Sequence, residues 1–592
     1  MILVGITDTK DILLVQAYLL LKQRNINCDE VHYIRTSDTQ IKEDILEFWK
    51  VNNVNIYISK LPNHGIYRSE KEYFESEDIF LNWYRSIADT SDQCMVFLGG
   101  GNKVHASALQ KSAFLFGASD VFHMLYDGNR DTEPKSIQEV EIALLNRKIL
   151  FFSLGAQQAW PAITNLNIKK ENLGDIIRSI SSNISSRTIN AINEYPFESL
   201  GLLPANAVHW LMQPLHQGED AHWISSLPKI ELHCHLGGFA VSDNSLNHVR
   251  DASTGIAPPL KAISFPPNWP LPKYNVSLIQ YMHFGDNNGS YILKDLGCLE
   301  CQISLLYDHL MDQNIRYAEI RCSPFNYVSK KYNAYDILQF IKDVFDKKMA
   351  YSDSSNKRWC HVNLIIIGTR FLSGDTTSIE NHIHLTIQSE SNSSIHGRCR
   401  IVGIDLAGYE NIATRPALFE SYFEPIHRAG IAITVHAGEN DEAEGIWQAV
   451  FKLNARRIGH GLNLYQNQDL LKSIVNRKIG IEMCPFANYQ IKGYTPMLTS
   501  LDTYPLLKYL EAGARVTVNT DNIGISSASL SDNFMLLAKL NPGITRLQIL
   551  QLIRNGLEQA FIDVVLKNRL LKIFNEDIFD IIFNLEFNTK GT

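Results

Sequence analysis

Between residues 226 and 560 short apolar, β-prone runs alternate with helical patterns, and polar residues able to bind a metal stand directly behind four of those runs. The strand candidates are "PKIEL", "IRYAEIRCSP", "VNLIIIGTR", "RIVGIDLAG", "IAITVHAGE", "RRIGHGLN", "KIGIEMCP" and "RVTVNTDN". Strands and helices in regular alternation predict parallel strands joined by helical crossovers. Their number and the length they occupy suit an eight-stranded β/α barrel, whose site is built at the carboxyl ends of its strands. At those ends lie His233 and His235 after "PKIEL", His436 and Glu439 after "IAITV", His460 after "RRI", and Asp521 after "RVTV".

Imidazole and carboxylate suit Zn²⁺, and a catalytic zinc keeps one position for a water whose pKa falls to about 7. Histidines at i and i+2 on a strand point to one face, so His233 and His235 can share an ion. Glu439, three residues after His436, reaches the same pocket as a proton carrier. Taken singly, His460 or Asp521 reads as an ordinary loop residue. Four such stations, each at a strand end, argue for one metal site.

Other classes are bounded by size and composition. A chain of 592 residues is long enough for two or three domains with full cores. With 55 Lys and Arg against 63 Asp and Glu, a net charge of -8 and no long basic run, broad binding to DNA or RNA is not expected, although a local phosphate pocket stays open. No apolar stretch of about twenty residues offers a bilayer span, and the opening run "MILVGI" is too short for a signal peptide. The nine cysteines lack a disulfide rhythm, and Cys298 and Cys301 in "GCLEC" read as buried free thiols. Reduced cysteines without an export signal predict a cytoplasmic protein.

Residues 1–155 have another rhythm. The runs "MILVGI", "VHYI", "VNIYI", "CMVFLG" and "DVFHML" alternate with helical stretches, which predicts a Rossmann-like parallel sheet covered on both faces. Ligands bind such sheets at the carboxyl ends of their strands. Two loops fall there: Thr7, Asp8 and Thr9, and Gly99, Gly100, Gly101, Asn102 and Lys103. The glycine loop lacks the spacing of a Walker loop, and Val104 stands where a dinucleotide fingerprint has its third glycine. An anion cradle at a helix start and a tight turn with an exposed lysine both account for it. Residues 156–225 read as a helical connector whose His209, His216 and His222 are packing or surface residues. His382 and His384 form a second His-x-His that follows no strand run.

In this order, "KIELHCHLGG", "GIDLAG", "TVHAGE", "RIGHG", "EMCP" and "VNTDN" resemble the adenosine deaminase family of metal-dependent amidohydrolases over about residues 226–592, most clearly from 226 to 560. The resemblance implies an amidohydrolase-type β/α (TIM) barrel with one Zn²⁺ per subunit held by His233, His235, His436 and Asp521. It also implies that Glu439 protonates the purine N1, that His460 orients and helps deprotonate the attacking water, and that the Gly408 amide meets the purine N3. "GITDTKD" and "FLGGGNK" resemble the CRISPR-associated Rossmann-fold (CARF) domain, a sensor of cyclic oligoadenylates that dimerises around them. This second resemblance places the activator at Thr7, Asp8, Thr9, Gly100, Gly101, Asn102 and Lys103. Together the two point to an α/β protein, a CRISPR-associated adenosine deaminase serving type III antiviral defence. Its activator would be cyclic tetra- or hexa-adenylate, and its assembly a homodimer or a multiple of dimers such as a hexamer.

Two departures from the family pattern bear on substrate. Where the family reads "HLDG", this chain has Gly237 and Gly238, and losing that carboxylate removes repulsion against a 5′-phosphate. Adenine nucleotides are therefore expected over adenosine, and the resemblance to CRISPR-associated adenosine deaminases implies ATP to ITP first. Where the family has Asp-Asp, this chain has Asp521 and Asn522, whose amide can still donate to the purine N7. Arg456 and Arg457 could hold phosphate, but a solvated face is the preferred reading. Two alternatives remain, an amidohydrolase acting on another N6-substituted purine and a ligand-sensing scaffold with an idle barrel. Cytidine-type zinc deaminases are excluded, because their H-x-E and P-C-x-x-C signature is absent.

Overall fold

The computed structural model describes residues 1–7, 10–35, 39–61, 69–87, 94–100, 103–128, 132–157, 173–177, 195–241, 243–255, 258–286, 288–354, 359–391, 398–494 and 503–585. The chain divides into two compact units, Met1–Ile192 with Gly201–Pro204, and Asn193–Leu200 with Ala205–Thr592.

The first unit is built on strands β1 (Ile2–Thr7), β2 (Glu30–Arg35), β3 (Asn55–Lys60), β4 (Cys94–Phe97), β5 (Asp120–Tyr126) and β6 (Ile149–Ser153). Their order is β3-β2-β1-β4-β5-β6, so the fully buried run of β1 lies inside the sheet and the exposed β3 at its edge. All neighbours are parallel except β6, which returns antiparallel to β5. The five strands expected from the sequence are parallel, and β6, which is not among them, adds an antiparallel edge. The Asp127 amide donates to the Lys148 carbonyl at 2.7 Å, pinning the end of β5 beside the start of β6, and an antiparallel return needs no crossover. Leu3, Leu14, Val31 and Trp49 belong to the core beneath the sheet.

The second unit is a β/α barrel of β7 (Lys229–His235), β8 (Ile315–Cys322), β9 (His361–Arg370), β10 (Ile401–Gly408), β11 (Ala432–Ala437), β12 (Arg457–His460), β13 (Gly480–Met483) and β14 (Arg515–Val518). The strands are parallel and paired in sequence order. A bridge between Cys234 and Asp521 closes the sheet: the Asp521 amide donates to the His233 carbonyl at 2.7 Å, and the His235 amide to the Asp521 carbonyl at 2.8 Å. Residues 205–226, expected within a connector, pack on this unit. Arg546 pairs with Asp220 at 2.9 Å, and the Leu215 amide donates to the Ile544 carbonyl at 2.7 Å.

Charged side chains fill part of the barrel interior. Arg457, expected on a solvated face, is fully buried and pairs with Glu319 and Glu482, because β12 turns it inward. Arg456 is exposed, and both arginines lie over the Phe561 ring. Cys298 is buried as expected, Cys301 only half-buried, and both are free. Among the described residues no helix is long and apolar enough to cross a membrane.

Candidate active site

Strand ends bring the predicted residues of the barrel together around a cavity of about 350 Å³. His233 and His235 end β7, His436 lies near the end of β11, His460 ends β12, and Asp521 follows β14. The ligand atoms of His233, His235 and His436 all lie within 4.8 Å of one another. The Nε2 atoms of His233 and His436 are 3.1 Å apart, and Asp521 Oδ1 stands 3.3 Å from His235 Nε2 and 3.8 Å from His233 Nε2.

The hydrogen bonds behind these rings decide what occupies the gap. His233 Nδ1 faces Glu482 at 3.0 Å, and His436 Nδ1 faces Asp405 at 3.0 Å. Both carboxylates are already paired with Arg321, so they are anions and both Nδ1 atoms must donate to them. Burial, assisted by Arg321, holds the His233 pKa well below its usual value, which keeps its ring neutral. Burial alone would raise Asp405, yet His436 and Arg321 hold it well below the carboxylate range. Two bare Nε2 lone pairs therefore face each other at 3.1 Å. Three imidazoles and one carboxylate converging this way fit a divalent transition-metal cation, with the orienting carboxylates such ligands require. Burial raises the Asp521 pKa to about 6, and a cation among the donors would reverse that shift.

Glu439 is buried, its Oε1 has no hydrogen-bond partner, and the nearest ring nitrogen, His460 Nδ1, is 3.6 Å away. Burial first, then the charges of Asp521 and Glu410, raise its pKa well above that of an ordinary carboxyl. Both influences favour the protonated form of Glu439. Glu410 builds the loop around it, accepting from the amides of Gly438, Asn440 and Asp441.

His460 is fixed by Asn488. The Asn488 Oδ1 accepts from the Cys484 amide at 3.1 Å and the Tyr504 hydroxyl at 3.0 Å, so its Nδ2 is the atom 3.0 Å from His460 Nδ1. An amide nitrogen only donates, which leaves His460 Nδ1 as acceptor and places the proton of the neutral ring on Nε2. This tautomer suits orienting a water oxygen and not deprotonating it. Burial, ahead of the neighbouring His436, lowers the His460 pKa well below normal.

The glycines of the site have steric causes. A Cβ on Gly238 would lie 1.9 Å from Asn522 Oδ1, and one on Gly408, at φ +100, 2.6 Å from the Arg370 carbonyl. Gly237 is the open one, since a Cβ there would meet only the Ser290 hydroxyl at 2.8 Å and Tyr327 at 3.4 Å. Asn522 donates to Asp521 Oδ1 at 2.7 Å and also interacts with the Tyr281 hydroxyl.

Sequence reasoning missed Arg321, Asp405, Glu482, Glu410 and Asn488. Charged residues inside otherwise apolar runs, as in "GIDLAG" and "GIEM", are the signal that could have found two of them, because inward positions alternate along a barrel strand. His382 lies apart, buried in the helix Thr377–Ser391 with Nδ1 on the Ser378 carbonyl at 2.7 Å.

In the first unit a cavity of about 610 Å³ opens at the carboxyl edge of the sheet, lined by Lys10, Lys42, Lys135, Gly99, Gly100 and His123 among others. Of the residues expected there, Gly100 lines it. Thr7 is instead buried and donates to Asp11, which also pairs with Arg35. Lys103 opens the helix Lys103–Phe116 as an exposed residue outside the lining. Asp8, Thr9, Gly101 and Asn102 lie outside the described residues.

The profile of the family described as adenosine deaminase matches residues 228–576. An adenosine deaminase of Clostridium acetobutylicum is 31% identical over 350 residues, covering 59% of this chain and 97% of that enzyme. One from Shewanella denitrificans is 30% identical over 343 residues, covering 57% and 95%. The solved N6-methyl-AMP deaminase of Arabidopsis thaliana aligns over 60% of this chain and 98% of its own, with 20% identity and a TM-score of 0.46. The chain belongs to the adenosine deaminase family, metal-dependent amidohydrolases, and is a deaminase acting on adenine-type substrates.

Proposed function

We propose that the barrel deaminates adenine nucleotides, ATP to ITP first, with a zinc ion on His233, His235, His436 and Asp521. The observation that carries this reading is the buried, unpartnered carboxyl of Glu439 beside the three histidines. When bound, zinc activates the water that adds to C6 of the ring. Glu439, whose protonated form burial favours, delivers its proton to N1 as electron density moves there. His460 holds the attacking oxygen through Nε2–H, its ring set by Asn488. Gly408 leaves the backbone open to the purine edge at N3, and the Asn522 amide is assigned to N7. Of the two protons that the water brings, one passes by way of the Asp521 carboxylate to the departing amine and the other restores Glu439, so that ammonia leaves and the hypoxanthine base remains.

The nucleotide preference is supported by the cavity wall at Gly237, where Ser290, Asn326 and Tyr327 offer neutral polar groups to a 5′-phosphate. The first unit is assigned as a CARF-like sensor that activates the barrel on binding cyclic tetra- or hexa-adenylate. Its support is the cavity at the sheet's carboxyl edge, lined by Lys10, Lys42 and Lys135 together with Asp11, Asp44 and Glu133. Exposed Leu150, Phe152 and Leu154 along the antiparallel edge offer an apolar surface for a homodimer.

Zinc-loaded protein offered adenosine, AMP, N6-methyl-AMP and ATP, with and without each cyclic oligoadenylate, tests this by ammonia release. Fastest turnover of ATP with an activator is the expected result. Adenosine as best substrate with no effect of activator would overturn both the nucleotide and the gating assignments.

A further inference from the structure

The end of the barrel opposite the histidines holds a second cavity, of about 590 Å³. It opens where β9 and β10 begin, against the segment between the helices Arg546–Gln559 and Val564–Phe583. The side chains of Arg398, Arg400 and Arg569 meet there with His361 and Trp359. The guanidinium of Arg569 lies 4.4 Å from the centre of the Trp359 ring. Asp563 is the one carboxylate among the described lining residues, and it accepts from the Leu566 amide at 2.9 Å, capping its own helix.

Charge pairing differs across this end of the barrel. Arg515 and Arg554 pair with Glu558. Among the described residues neither Arg400 nor Arg569 has a carboxylate partner, and both are exposed. A smaller cavity of about 290 Å³ adjoins across the shared Phe561 and adds Arg456, Arg477 and Lys478. In a chain of net charge -8 this is a local reversal of sign on a concave surface. The guanidinium fork matches phosphate oxygens two at a time, and a low-dielectric wall such as Trp359 strengthens the attraction. Burial lowers the His361 pKa below its usual value, with Asn363 and Asp563 opposing it and Arg398 and Arg400 adding to it.

We propose that this amino-terminal mouth of the barrel binds the polyphosphate of a nucleoside triphosphate, at a site separate from the histidine centre. A cavity of this volume takes a small ligand rather than a nucleic acid strand. Arg400 immediately precedes β10 and Gly408 ends it. At about 3.3 Å per residue the strand separates the two by roughly 25 Å, so one nucleotide cannot occupy both sites.

Calorimetric titration of the metal-loaded full chain tests the proposal, using GTP and inorganic tripolyphosphate at low and physiological salt. GTP has no exocyclic amine at C6, so it is not consumed by deamination. Both probes should bind, more weakly at higher salt, and R400E/R569E should weaken both by roughly tenfold or more. R400K/R569K, which keeps the charge, should lose less. Unchanged adenine deamination by both variants, measured in parallel, shows that the barrel is folded. GTP and tripolyphosphate affinities unaltered by R400E/R569E, or no binding by the unsubstituted protein at near-millimolar probe, overturn the proposal.

Discussion

Glu482 accepts from His233 Nδ1 at 3.0 Å while also receiving the guanidinium of Arg321, which on its other side donates to Asp405 at 2.6 Å. One arginine therefore bridges the carboxylates behind two of the site's histidines, and Arg457 also pairs with Glu482. Arg321→Met leaves Asp405 buried without its arginine, while Glu482 keeps Arg457, a change of about 3–5 kcal/mol in stability. Metal affinity should fall roughly 10- to 100-fold as the imidazoles lose their fixed orientation. Urea denaturation and metal analysis of the purified variant check both effects.

Glu439→Gln preserves shape and removes the transferable proton. Turnover is expected to drop by about two to four orders of magnitude, with metal content unchanged. Retained activity in a metal-loaded variant would remove Glu439 from the reaction.

The protonated form of Glu439 is the competent one, and burial raises its pKa. The pH profile of kcat/KM should fall on the basic side with the slope of a single proton, at a pH above the ordinary carboxyl range. The sign for stability is the same. A carboxyl whose folded pKa is raised contributes fully below its unfolded value, and that contribution is lost as pH rises through the folded value. Thermal unfolding of Glu439→Gln against pH should lack this slope.

Gly237→Asp places a carboxylate beside Ser290 and Tyr327 with only a hydroxyl to displace. A like charge near a 5′-phosphate disfavours binding, so the preference for ATP or AMP over adenosine should shift about tenfold or more toward the nucleoside. Competition assays with paired substrates read the ratio directly.

Chelation should abolish turnover and lower thermal stability, since a ligand at about a thousand times its Kd stabilises by about 4 kcal/mol. Zinc added back should restore both, and calorimetry with ammonia release follows them together.

The barrel and its donor residues were legible because each donor directly follows an apolar run, and strand ends in this architecture converge. Asp405, Glu482 and Arg321 were not, since a charge inside a strand carries no mark of its partner until the sheet closes around it. Arg457 was misread for the same reason. Asn488 hides in the helix Pro485–Lys492, where its amide looks like any surface polar group. In the first unit, "ILFFS" resembles any other strand, and its reversed direction follows from the pairing of Asp127 with Lys148.

The seam between β7 and Asp521 bears on synthesis as well as on architecture. His233 and His235 leave the ribosome early in the barrel, and Asp521 only after every barrel strand has been made. Because the seam joins the first strand to the residue behind the last, its loop closes late. A nascent chain therefore offers imidazoles with no carboxylate to complete the set, and a chain interrupted before Asp521 is left with an incomplete donor set.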